Sequence, residues 1–107
     1  MRRARGRHDE LQDIPGIGPA LAADLRRLGV DLVADLRGRD PQRLYEELEA
    51  HAGSHVDRCV LYAFRCAVYW AGAAEPDPVL SRWWSWKDGG EAERRGLIPA
   101  ARRVATT

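Results

Sequence analysis

Four residues near the start of the chain, Pro15-Gly16-Ile17-Gly18, have the types and order that build an anion site from backbone alone. Pro15 removes a donor and pushes Ile14 out of the helical region, while Gly16 and Gly18 can take the positive φ angles of a tight hairpin without a Cβ clash. Pro19 suits the first turn of a helix. A helix starting there leaves its first amides unbonded at the positive end of its dipole, where a phosphate is stabilised. The residues expected to carry this contact are Gly16, Ile17, Gly18 and Ala20. Nothing at Pro19, Ala20 or Asp24 adds a cation beside the turn, and Pro19 lacks an N–H. Arg37, Arg39 and Arg43 cluster about a second connection and could supply the missing charge. That connection, residues 37–40, has one glycine rather than two. It reads either as a degenerate second hairpin or as an ordinary capped turn with solvated arginines.

Two further groups invite a chemical reading. Arg58, Tyr62, Arg65 and Tyr69 recur at spacings of four, three and four, and Trp83, Trp84 and Trp86 crowd together beside Lys87. Arginine between aromatic rings can hold nucleic acid by charge and stacking, or can dock a protein partner. Packing competes with both readings and is favoured, since aromatic residues at helical spacing usually fill cores. His55, Cys59 and Cys66 fall at i, i+4 and i+11, with His51 and His8 as further ligand candidates. Cysteines acting as small buried hydrophobes are the better account, so no metal and no cofactor are expected. The two cysteines would stand about 10 Å apart along one helix, too far for a disulfide. Glu46, Glu47, Glu49 and Asp57 form no dense carboxylate cluster of the kind a two-metal nuclease needs. No catalytic residues are expected, and the chain reads as a non-enzyme.

The elements that must position these groups are helical throughout. Asp9 caps a first helix running to about residue 13, and apolar residues Leu11 and Ile14 before the hairpin match Leu21, Ala22, Leu25 and Leu28 after it. Two short helices meeting at such a corner make a helix-hairpin-helix pattern. Gly29 stops the second helix, a third spans 32–36, and Asp40-Pro41 starts a fourth that reaches about residue 50. Ser54 or His55 opens the longest helix, over about 55–72. One face of it, with Val56, Cys59, Val60, Ala63, Ala67, Trp70 and Ala71, is expected in the core. Its other face is apolar enough that neighbours should surround it. A further short helical segment is expected at 79–85, and at least one tryptophan should lie on the long helix.

At 107 residues the chain is long enough for one domain. The reading is all-α: a compact bundle of about five helices on a helix-hairpin-helix (SAM-like) core with a C-terminal Trp-rich segment. A flexible basic arm takes 1–8, the domain 9–88 and a flexible tail 89–107. The formal charge of +1 conceals Arg2, Arg3, Arg5 and Arg7 in the arm and Arg94, Arg95, Arg102 and Arg103 in the tail. No apolar run reaches membrane-span length and no hydrophobic signal region is present, which places the protein in the cytoplasm with no membrane partner.

The succession IPGIG, DLRRLG, DLRGRDPQRLYEEL, HVDRCVLYAFRCAVYW and WWSWKD resembles the small bacterial helix-hairpin-helix proteins of the pathogenicity-locus family, over about 9–88. IPGIG alone is common to many polymerases, repair proteins and ligases, so the specificity of the resemblance lies in the last two segments. It implies an all-α cytosolic DNA-binding protein with no established reaction. Some relatives carry labels such as mitomycin resistance, which implies a link to DNA damage. Two functions are therefore expected in competition. One is a module that grips DNA backbone without reading sequence; the other is a protein-interaction module with an architectural hairpin and a Trp/Tyr docking surface.

Overall fold

The computed structural model describes residues 9–98, and among these no strand occurs. Four α-helices form: α1 (Pro19–Arg27), α2 (Pro41–Ala52), α3 (Arg58–Gly72) and α4 (Glu91–Arg94). Single 3-10 turns stand at Glu10–Asp13, Val33–Leu36 and Trp83–Trp86. Two of the five expected helices are thus one-turn pieces. The runs between Asp9 and Pro15, and between Val30 and Gly38, are too short to propagate i→i−4 bonds, so the tighter i→i−3 turn takes their place. The helical segment expected at 79–85 is displaced to Trp83–Trp86.

The corner after the first turn rests on one left-handed residue. Gly16 has φ 88°, whereas Gly18 is extended at φ −94° and ψ −171°, against the expectation of two positive φ angles. One left-handed residue suffices because the Ile17 amide bonds back to the Ile14 carbonyl at 3.0 Å, closing the turn ahead of Gly18. A Cβ on Gly16 would stand 3.3 Å from Cβ and Cδ1 of Trp83; one on Gly18 would meet nothing within 4 Å.

The long helix also begins later than expected. The Asp57 carboxylate accepts from the Cys59 amide at 2.8 Å, making Asp57 the cap and Arg58 the first helical residue. His55 therefore lies outside the helix, and its Nδ1 pairs with Glu49 at 3.0 Å. Both backbone groups of Val56 are used by α2: the Tyr45 hydroxyl donates to its carbonyl, and its amide donates to the Glu49 carboxylate at 3.0 Å. This stitching pins the α2–α3 connection where Gly53, at φ 70°, ends α2.

Helix α3 is central. Leu61, Ala63, Phe64, Ala67 and Ala71 join the main core with Leu11, Ile14, Ile17, Leu25, Leu44 and Leu48. Cys66, Leu80, Trp86, Ala92 and Ile98 form a second cluster, and Trp83 packs against both. The expected core face is turned from its predicted position. Cys59 is exposed, Val56, Val60 and Trp70 sit at the margin, and Cys66 is buried beside Arg65. Burial continues past residue 88, because α4 brings Ala92 and then Ile98 against Trp86. Gly90 makes this approach possible: a Cβ there would lie 2.8 Å from the Ser85 carbonyl oxygen. The expected 89–107 tail is therefore structured through Ile98, while the arm at 1–8 and residues 99–107 lie outside the described residues.

The two hairpin glycines should respond oppositely to substitution. Gly16→Ala forces an L residue into a left-handed conformation against Trp83 and should cost about 1–3 kcal/mol in urea unfolding. Gly18→Ala fits its extended backbone and open surroundings and should leave stability unchanged or raise it by up to about 1 kcal/mol.

Candidate nucleic-acid interface

The free donors of the hairpin differ from those its sequence suggests. Ile17 is buried in the core and its amide is already bonded, so it serves as an anchor. No side chain caps α1, and Pro19 stands at its first position. Among the described residues the Gly16 amide, in the turn itself, has no protein acceptor, nor do the Gly18, Ala20 and Leu21 amides at the start of α1, Leu21 being the donor that the motif alone does not single out. The first amide with an intrahelical bond is that of Ala22, which reaches the Gly18 carbonyl at 2.9 Å. The last three of these neutral donors sit at the positive end of a nine-residue helix.

The arginines of the second connection divide. Arg37 Nε donates to the Ala71 carbonyl at 3.0 Å and so ties the Val33–Leu36 turn to the end of α3, a structural bond absent from the expected cation role. The guanidinium groups of Arg39 and Arg43 have no hydrogen-bond or ion-pair partner among the described residues. Asp40 caps α2 by accepting from the Gln42 amide at 3.0 Å.

The arginine–tyrosine face of α3 is packed, as its favoured reading expects, and forms a clamp. Arg65 is only 6% exposed; its Nη1 donates to the Trp86 carbonyl at 2.9 Å and to the Asp88 carboxylate at 3.1 Å. Arg58 Nε reaches the other Asp88 oxygen at 2.7 Å, and the Tyr62 hydroxyl donates to that oxygen at 3.3 Å. Both guanidinium groups lie over the Tyr62 ring. Asp88, the residue that gathers this cluster, had no sequence signal beyond its place after the tryptophans. Tyr69 stacks obliquely on buried Trp86 with ring centroids 5.3 Å apart and accepts from the Asp77 amide. Trp83 is half-buried beneath the hairpin, and only Trp84 is largely open, at 49% exposure with Arg82 over its ring. Arg94 and Arg95, expected as tail cations, pair with Glu91, and Arg95 also with Asp77.

A model of the family described as pathogenicity locus, Cdd1, matches residues 4–92. The chain belongs to the pathogenicity-locus family. It is also similar to mitomycin resistance protein McrB of Streptomyces lavendulae, 32% identical over 89 residues that cover 83% of this chain and 77% of that protein. No solved structure matches the chain significantly. The match to the pathogenicity-locus family takes in the hairpin, the free arginines and the Asp88 clamp, and it extends on both sides of the 9–88 span read from the sequence.

Other candidate chemistry in this pathogenicity-locus protein is dispersed. Among the described residues no three His, Cys, Asp or Glu side chains come together to hold a metal ion, and no helix is long and apolar enough to cross a membrane. Burial pushes the Cys66 thiol up to about 12, and its Sγ lies 3.6 Å from the Leu80 carbonyl oxygen. The hydrogen bond to Asp57 raises the Cys59 pKa as well, so neither cysteine is activated as a nucleophile.

The Arg58 hydrogen bond, followed by that of Arg65, holds the Asp88 carboxyl below its ordinary value of 3.8. A depressed folded-state pKa contributes stability above the unfolded value and loses it as pH falls through the folded one. Asp88→Ala should cost about 1–3 kcal/mol at neutral pH; the carboxylate's partial exposure sets the low end, the stranded Arg65 charge the high end. Chemical denaturation at stepped pH should show this gap narrowing below about pH 4. Thiol titration should find Cys59 reactive in the native protein and Cys66 reactive only after unfolding.

Proposed function

We propose that this protein is a cytoplasmic, non-enzymatic DNA-binding module in which the Pro15–Gly18 corner acts as a helix-hairpin-helix grip on the sugar-phosphate backbone. The observation that carries the reading is the uncapped start of α1, with the Gly18, Ala20 and Leu21 amides unbonded beside a turn set by Gly16. Neutral amides orient a phosphate, and cations supply the longer-range attraction. Arg39 and Arg43 take that part. Contacts of this kind carry no base information, so binding is independent of sequence. Mitomycin resistance, named for a relative, supports a place in resistance to DNA damage. Arg82 over exposed Trp84 favours a second reading, a small docking surface for a protein partner on an architectural hairpin.

Affinity for duplex and branched DNA of unrelated sequence, measured across a salt series, decides between the two. With Arg39 and Arg43 as the main cations, log K should fall against log salt with a slope of about −2 to −3. Arg39→Ala and Arg43→Ala should each flatten that slope by about one unit without changing the melting temperature. Arg37→Ala should instead lower stability by about 0.5–1.5 kcal/mol and leave the slope in place. Absence of binding at low salt would overturn the DNA reading, and loss of a partner on Trp84→Ala with DNA affinity intact would favour the docking one.

A further inference from the structure

A groove of about 440 Å³ opens between the start of α2, the Arg65–Tyr69 stretch of α3 and the segment after α4. Neither the hairpin nor Arg39 and Arg43 line it. Its size is that of a small-molecule site. Pro41, Val68, Tyr69, Trp86 and Ile98 make its walls apolar, with two aromatic rings among them. The polar ends of those rings are engaged elsewhere: Trp86 Nε1 donates to the Leu80 carbonyl at 2.7 Å, and the Tyr69 hydroxyl accepts from the Asp77 amide at 2.9 Å.

Arg65 is the buried charge in this lining. It is 6% exposed, and Nη1 alone makes its two hydrogen bonds. The Nε and Nη2 donors have no partner among the described residues. Buried guanidinium N–H groups are costly when unmet, and a carboxylate satisfies two of them side by side. Arg58 and Arg65 share the single carboxylate of Asp88, which leaves the cluster positive. Asp40, also in the lining, caps α2 and keeps its negative charge, so the attraction rests on the open guanidinium N–H groups of Arg65 and not on the net charge of the lining.

We propose that this groove binds a small planar aromatic acid, its ring against the Tyr69 and Trp86 walls and its carboxylate on the unused N–H groups of Arg65. The groove shares no lining residue with the proposed DNA contacts, and the two stand or fall independently.

The test titrates 2-naphthoate into the full-length protein and follows the Arg65 Nε–H and Trp86 indole N–H resonances. Saturable shifts at both are expected. The cation 2-naphthylmethylammonium, of like size and opposite charge, should bind at least about tenfold more weakly, the difference one charge-assisted bond provides. Leu97, 45% exposed on the lining, permits a variant outside the core. Leu97→Glu should weaken naphthoate by about tenfold through like-charge repulsion, with an unchanged melting temperature. Val68→Phe should reduce binding of both probes by filling the groove. Equal affinity for the two naphthalenes, shifts confined to residues away from the groove, or no saturable binding of naphthoate would each overturn the proposal.

Discussion

The ion pair between Arg65 and Asp88 is the constraint on which the C-terminal half depends. A guanidinium that is almost fully buried cannot be left unpaired. Its partner carboxylate comes from a residue 23 positions later, so satisfying the charge draws the whole tryptophan turn onto α3. Arg58 and Tyr62 add bonds to the same carboxylate, and the Trp86 carbonyl takes the remaining Nη1 bond. Once that turn is placed, Trp86 forms the second core cluster with Cys66 and Leu80, on which Ala92 and Ile98 settle. Trp83, from the same turn, fills the space beneath Gly16. The corner that begins α1 is thus supported from the far end of the domain.

Among the described residues most arginines are engaged within the domain. Arg26, Arg27, Arg58, Arg65, Arg94 and Arg95 are paired with carboxylates inside the described domain. Arg37 is held by a carbonyl. The side chains of Arg39, Arg43 and Lys87 lack partners there, and that of Arg82 meets the Trp84 ring. Among the described residues, few free cations beside a cluster of neutral amides fit the proposed weak, orienting contacts with phosphate better than tight electrostatic capture. The aromatic residues follow the same economy: six of the seven rings on α3 and the tryptophan turn are wholly or partly covered, and Trp84 alone stands well out.

Much of this architecture was legible in the sequence, because it follows from local rules. Asp9 and Asp40 cap the elements expected of them, Gly16 takes the left-handed turn, and Leu44, Tyr45 and Leu48 face inward. The central position of α3 follows from its being apolar on both sides. Local rules misplaced what depends on competition between neighbours. Asp57 outbid Ser54 and His55 as the cap of α3, and the second glycine of the hairpin needed no positive φ once Ile17 had closed the turn.

The sequence by itself determined the all-α class, the family and the corner at Pro15–Gly18, since these rest on residue type, periodicity and spacing within a few positions. Only the tertiary structure decided which arginines also hold the fold together. Arg37, Arg39 and Arg43 look alike along the chain, and what separates them is whether an α3 carbonyl stands within 3.0 Å. Arg65 looks like a surface residue between tyrosines until Asp88 arrives from the other side of the tryptophans. A side chain's role as ligand or as support depends on the partner that long-range packing brings to it, and hydrogen-bond geometry of that kind has no signature in local sequence.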